Sequence, residues 1–124
     1  MGAESLSPAE QIALARAYVA LSNAHRVDFI LPMLADTATY HSVNVGRFEG
    51  GGAIGDMMTS FFARFSDVAW DVREYRCVGD GTVDFDFVMT ATDSDTGDSI
   101  ERTGLETIAF TKEGFISRIE VANL

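Results

Sequence analysis

The sequence predicts an α+β domain in which three N-terminal helices cover one face of a strongly curved, mainly antiparallel sheet. Three observations carry this expectation. Up to Phe65 the apolar residues recur at helical spacing; from Val68 onward they alternate with a period of two; and short turn sequences join the alternating runs, which implies consecutive hairpins. A chain of 124 residues has material for one hydrophobic core, so a single domain over 1–124 is expected.

The first helix is announced by Ser7-Pro8-Ala9-Glu10, a hydroxyl cap with proline at the first helical position and glutamate three residues after the cap. In AEQIALARAYVALSNA, Leu14, Tyr18 and Leu21 recur at helical spacing and place Tyr18 on the inward face, with Asn23 and Ala24 at the end. RVDFILPMLA reads as a short second helix, capped by Asp28, with Phe29, Ile30, Met33 and Leu34 on one side. After ATYHSVNVGRFEG, a strand-like run that crowds Tyr40, His41, Ser42 and Asn44 together, Gly50 to Gly52 break the chain. Ile54, Met57, Met58, Phe61, Phe62 and Phe65 then form the strongest amphipathic helical pattern. Four extended runs follow: VAWDVREYRCV, TVDFDFVMTAT, SIERTGLETIAFT and FISRIEVAN. They are separated by Gly79 to Gly81, by Asp93 to Asp98 and by Lys112 to Gly114.

Composition excludes several function classes. Nineteen acidic against nine basic residues give a net charge of −10, a field that repels nucleic-acid backbones and anionic membrane surfaces. Two histidines and the lone Cys77 cannot assemble an ordinary zinc site or an intrachain disulfide, so neither metal nor other cofactor is expected and a cytoplasmic location fits. MGAESLSPAE lacks the basic start and apolar core of a signal peptide, and no apolar run approaches the roughly 18 residues of a membrane span.

Strand alternation sorts the polar candidates. Tyr40 and Ser42 share a face, whereas His41 points the other way. In SIERTGLETIAFT, Ile100, Arg102, Gly104, Glu106, Ile108 and Phe110 fall on one face, which sets Glu106 among apolar neighbours. A carboxyl in that position has its pKa raised by desolvation, making Glu106 the acid/base candidate; an ion pair with Arg102 or Arg118 is the competing explanation. Trp70, Phe85, Phe87 and Met89 are either core or dimer-interface residues or pocket wall. Asp93 to Asp98 lacks the spacing of a calcium loop and reads as a solvated hairpin turn. His25, just past the first helix, is given no functional role.

AYVALSNAHRVDFILPMLADTATY, RFEGGGAIGDMMTSFFARFSDVAW and RTGLETIAFTKEGFISRIEV resemble, in the same order, three segments of the SnoaL-like and ketosteroid-isomerase-like group of the nuclear transport factor 2-like superfamily. That resemblance, which also covers polyketide cyclase-like members, implies a cone-shaped fold enclosing a pocket and a homodimer formed through the outer face of the sheet. Position by position, Tyr18 resembles the oxyanion-hole tyrosine of the isomerases and Glu106 their protonated acid. Ser42 stands where they keep a catalytic aspartate, and a serine without an adjacent base cannot remove an α-proton near neutral pH. Tyr40 and Ser42 also resemble the Tyr-x-Asn pair of limonene-epoxide-hydrolase-like relatives, but Ser42 replaces the asparagine, TVDFDFVMTAT has no Arg-x-Asp pair, and Val121 stands for the remaining aspartate.

The expectation is therefore a pocket for a small apolar molecule, with Glu106, Tyr18 and Tyr40 as the catalytic set and Ser42, Trp70, Phe87, Arg102 and Ile108 contacting the ligand. An isomerase, cyclase or dehydratase would use Glu106 as general acid or base. The alternative is a non-catalytic binding or dimerisation module of the same fold.

Overall fold

The computed structural model describes residues 6–124; residues 1–5, part of the stretch considered for a leader, lie outside the described residues. Helix α1 spans Pro8–Asn23, and Ser7 closes the expected capping box: Glu10 N–H donates to Ser7 Oγ at 3.1 Å and Ser7 N–H to Glu10 Oε1 at 2.8 Å. Its innermost line is Gln11, Ala15, Tyr18, Val19 and Ser22, one register away from the expected stripe, while Leu14 and Leu21 are only half-buried. The apolar pattern misleads here because two polar residues on the inner line bond to backbone. Gln11 Nε2 donates to the Leu6 carbonyl at 2.9 Å, and Ser22 Oγ to the Tyr18 carbonyl at 2.9 Å.

The helix ends in a Schellman turn. His25, at φ 57, takes the left-handed position, with Arg26 N–H bonded to the Leu21 carbonyl and His25 N–H to the Ser22 carbonyl. The second helix is shorter than its sequence suggests. Helix α2 covers only Val27–Ile30 and tightens into a 3-10 turn over Leu31–Met33, and Leu34 already begins strand β1, Leu34–Ser42. Asp28 does not cap it. It lies inside the first turn, where its carboxylate takes two hydrogen bonds from Arg26, at 3.0 and 2.8 Å.

The run at 38–50 is a hairpin: β1 turns at Val43–Val45 into β2, Gly46–Glu49, pairing Tyr40 with Phe48. Helix α3, Gly51–Arg64, buries Ile54, Gly55 and Met58 and half-buries Met57, Phe61 and Phe62, as its periodicity predicts. Gly55 sits at a close approach, since a Cβ there would stand 3.0 Å from the end of the Leu31 side chain.

VAWDVREYRCV is not one strand. It forms β3, Ala69–Asp71, and β4, Arg76–Gly79, both paired antiparallel with β5, Thr82–Thr92. Residues 72–75 leave the ladder between them, and there Tyr75 packs against Phe85, with ring centroids 5.0 Å apart, while the Arg16 guanidinium lies over the Tyr75 ring at 4.7 Å. Strands β6, Ser99–Phe110, and β7, Ile116–Asn123, complete a seven-stranded sheet in the order β2-β1-β7-β6-β5-β3, with β4 also on β5. Every pairing is antiparallel except β1 with β7, so the sheet is mixed. Three helices pack on one side of the curved sheet, as expected.

Register fixes what lies beside what. Tyr40 faces Ile119 on β7, which faces Ile108 on β6 and then Val83 on β5. The next inward row is Ser42, Val121, Glu106 and Phe85. Thus Ile119 and Val121 are the inward residues of β7, and Arg118 is exposed on the opposite face. That position removes Arg118 as a partner for Glu106.

Candidate active site

Between the concave sheet face, α1 and α3 lies an open-mouthed cavity of about 60 Å³, a narrow slot rather than a wide chamber. Its walls contain Tyr18, Tyr40, Ser42, Trp70, Phe87, Arg102 and Glu106, seven of the eight residues expected from sequence. Ile108 is the exception. It is fully buried in the core, one inward pair along β6 from Glu106, and supports the cavity without lining it.

Each polar wall residue has a local reason for its position. Tyr18 is held on the inner line of α1, one turn before the Schellman end. Trp70 is fixed by Asn23, whose Oδ1 accepts from Trp70 N–H at 2.7 Å and whose Nδ2 donates to the Trp70 carbonyl at 3.0 Å, an amide acting as a strand edge. Phe61 and Phe62 of α3 meet the indole at centroid distances of 6.2 Å. His25 stacks on Phe62 at 4.4 Å and donates Nε2–H to the Val68 carbonyl at 2.9 Å; it braces the aromatic wall from outside.

Ser42 is 4% exposed and its Oγ accepts from Asn44 N–H at 3.2 Å, which leaves the hydroxyl proton free for the cavity. His41 is exposed on the other face, as alternation requires, and cannot activate it. Phe87 lies over Gly104, its register partner on β6; a Cβ at residue 104 would overlap the Phe87 ring and sit 2.9 Å from the Ala122 carbonyl oxygen.

Glu106 is the chemically unusual member. It is 6% exposed and makes no hydrogen bond or ion pair among the described residues, Arg102 and Arg118 included. Burial alone pushes its carboxyl up to about 8, from an ordinary 4.5. Burial also raises the phenol of Tyr40, with the Glu106 charge adding to the effect. Tyr18 is pushed well above its usual value by burial first, then by Glu106 and Tyr40, with a small opposing effect from the Ser22 hydroxyl. The three groups are close enough to sense one another's charge. Both tyrosines are therefore neutral donors at any physiological pH, aimed at a space shared with a carboxyl that holds its proton through neutrality.

Phe85 and Met89, weighed from sequence as pocket wall, also line the cavity, whereas several other wall residues escaped the sequence pattern. Val19 and Ser22 lie on the displaced α1 line, Met57, Met58, Phe61 and Phe62 are indistinguishable from core by periodicity, and Asn44 and Asn123 meet only in three dimensions, at 2.9 Å across the mouth. Asp93 is drawn into a structural role: Arg64 of α3 donates to both its oxygens, at 3.3 and 2.8 Å, and Asp95 N–H donates to Oδ1 at 2.9 Å. No cluster of three potential metal ligands occurs among the described residues, and no helix is long and apolar enough to cross a membrane.

A profile of the SnoaL-like domain family matches residues 15–119. Comparison with curated protein sequences gives no significant match. Among solved structures, the chain is similar to SalBIII, an epoxide hydrolase/cyclase-like enzyme in pyran ring formation in the polyether salinomycin, at TM-score 0.83 and 18% identity, covering 94% of this chain and 92% of that one. It is similar to Rv0760c from Mycobacterium tuberculosis in complex with estradiol-17beta-hemisuccinate, at TM-score 0.79 and 16% identity over 90% and 92% of the two chains. An NTF2-like protein from Exiguobacterium sp. 255-15 aligns at TM-score 0.79 and 15% identity over 90% and 98%. At these identities the likeness establishes the cone-shaped fold.

Proposed function

We propose, for a chain that belongs to the SnoaL-like domain family, that this cavity is the active site of an isomerase, cyclase or dehydratase-type enzyme acting on a small, largely apolar molecule with a carbonyl or hydroxyl oxygen. One observation carries the proposal: a carboxyl with no internal partner and two neutral tyrosines line the same apolar cavity. Protonated Glu106 donates to an oxygen that gains negative charge or departs, and its ionised form, present in quantity only as pH approaches 8, takes a proton from the substrate. Tyr18 and Tyr40 orient that oxygen and stabilise charge developing on it. Ser42 and Trp70 complete the polar and aromatic walls, and Phe87 sets the depth of the slot.

Two of the similar structures support a small-molecule site, one by its role in pyran ring formation and one by its bound estradiol hemisuccinate. The second reading is a binding module without chemistry, favoured by Ser42 where an isomerase base would stand. Turnover by the intact protein across a panel of polyketide-like ketones and hydroxy-epoxides tests both readings. Loss of at least about a hundredfold in kcat for Glu106→Gln, with folding retained, is the expected result. Full activity in that variant would overturn the acid/base assignment, and ligand binding with no turnover of any substrate would leave the binding module.

The same reading includes one SnoaL-like domain over 1–124, in a cytoplasmic setting suited to its single exposed Cys77, and a homodimer formed through the outer sheet face. That face carries half-buried Val88, Leu105 and Ala109.

A further inference from the structure

Along the inward face of β6 the environment changes in order. Ile108 is sealed in the core, Glu106 lines the inner cavity, Gly104 lies beneath Phe87, Arg102 lines both the inner cavity and an outer groove of about 770 Å³, and Ile100 lines the outer groove alone. Arg102 therefore stands at the threshold, half-buried, opposite Met89 on β5.

Its guanidinium has no carboxylate within 4 Å among the described residues, whereas Arg26, Arg47, Arg64 and Arg76 each have one; Arg16, Arg73, Lys112 and Arg118 also lack one but are exposed, so Arg102 is the cation that is both unpaired and half-buried among the described residues. In a chain with nineteen acidic and nine basic residues, an unpaired half-buried cation is a specific arrangement. The other charged residues lining the outer groove are Arg64 and Asp93, which pair with each other, and Asp56 on α3. Asp56 discourages an anion from resting elsewhere in the groove and leaves Arg102 as its attractive point. On the rim, Asn44 Nδ2 donates to Asn123 Oδ1, so the amide N–H groups of Asn123 remain available beside the same threshold.

We propose that Arg102 anchors an anionic head group, so that the molecule entering this cavity is an amphiphilic carboxylic acid. Its apolar body lies among Met57, Phe61, Phe62, Trp70 and Phe87, its carboxylate pairs with Arg102 at the mouth, and its inner end reaches Glu106, four residues or roughly 13 Å further along the strand. The proposal rests on the small-molecule reading of the cavity and adds the charge and polarity of the ligand. Met57, Met58 and Met89 supply walls that adapt to the body of the guest.

Trp70, the only tryptophan, lines the cavity and reports occupancy by its fluorescence. The test titrates the full chain with 4-cyclohexylbutanoate and with its neutral counterpart, 4-cyclohexylbutanamide. The carboxylate is expected to bind at least about tenfold more tightly than the amide, as charge-assisted hydrogen bonds to a forked guanidinium imply. Arg102→Gln erases that preference by weakening the carboxylate more than the amide, Arg102→Lys keeps part of it, and added salt weakens the carboxylate more than the amide. Glu106→Gln keeps the preference. Equal binding of the two probes by the natural protein, or an undiminished preference in Arg102→Gln, overturns the anchor while the apolar pocket stands. Binding of neither probe at millimolar concentration overturns both the anchor and the small-molecule reading.

Discussion

Glu106 and Arg102 lie on the same face of β6, four residues apart, and they do not pair. The separation of roughly 13 Å leaves the carboxyl without a counter-charge and the guanidinium without an acid. Each is thereby open to a guest, one at the inner end of the slot and one at its mouth.

The unpaired carboxyl gives folding stability a particular pH dependence. Glu106 rises from 4.5 to about 8 on folding, so between those values the native state holds a proton that the unfolded chain has released. Stability contributed by the neutral carboxyl is complete below 4.5 and is lost as pH rises toward 8, at up to about 1.4 kcal/mol per pH unit. Urea unfolding across this range should show the decline, and Glu106→Gln should flatten it. Asp28, Asp67 and Asp93 are shifted downward, so their contributions disappear only at more acidic pH and do not mask the effect. An equal slope in both proteins would refute a buried neutral Glu106.

Phe87 rests where a side chain on Gly104 would be. Gly104→Ala is expected to destabilise by about 1–3 kcal/mol through overpacking, and to shift Trp70 emission as Phe87 is driven into the slot. Adding Phe87→Leu should recover part of the loss, which a thermal-unfolding double-mutant cycle measures directly.

His25 combines a left-handed backbone with a ring that stacks on Phe62 and bonds to the Val68 carbonyl. His25→Gly suits the backbone and His25→Asn partly so, yet both lose the stack; His25→Ala loses both features. Denaturant unfolding should rank the alanine variant lowest, at a cost of about 1–3 kcal/mol.

Leu105 lies on the sheet face away from the cavity, between Asp86 and Ala122 in register. If that face joins two copies, Leu105→Arg yields a monomer by sedimentation while ligand quenching of Trp70 persists. A natural protein that sediments only as a monomer would remove the dimer from the proposed function.

Much of the architecture is written in local patterns. The capping box at Ser7, the period of α3 and the alternation of β5, β6 and β7 are all short-range rules, and those elements form where the rules place them. Alternation likewise separates Ser42 from His41 and puts Arg102 and Glu106 on one face, because side-chain direction in a strand depends only on sequence parity.

Sequence could not decide matters that depend on other strands and helices. One expected strand divides into β3 and β4 where Tyr75 packs on Phe85, and backbone partners for Gln11 and Ser22 move the buried line of α1 off its apolar stripe. Whether Glu106 met a cation was a question of register and distance across the sheet, and Arg118 turned out to be on the far face. The sequence determined the strand parity that sets Tyr40 with Ser42 and Arg102 with Glu106; only the tertiary structure left Glu106 and Arg102 each without a partner, because desolvation and pairing are properties of enclosed space rather than of neighbours along the chain.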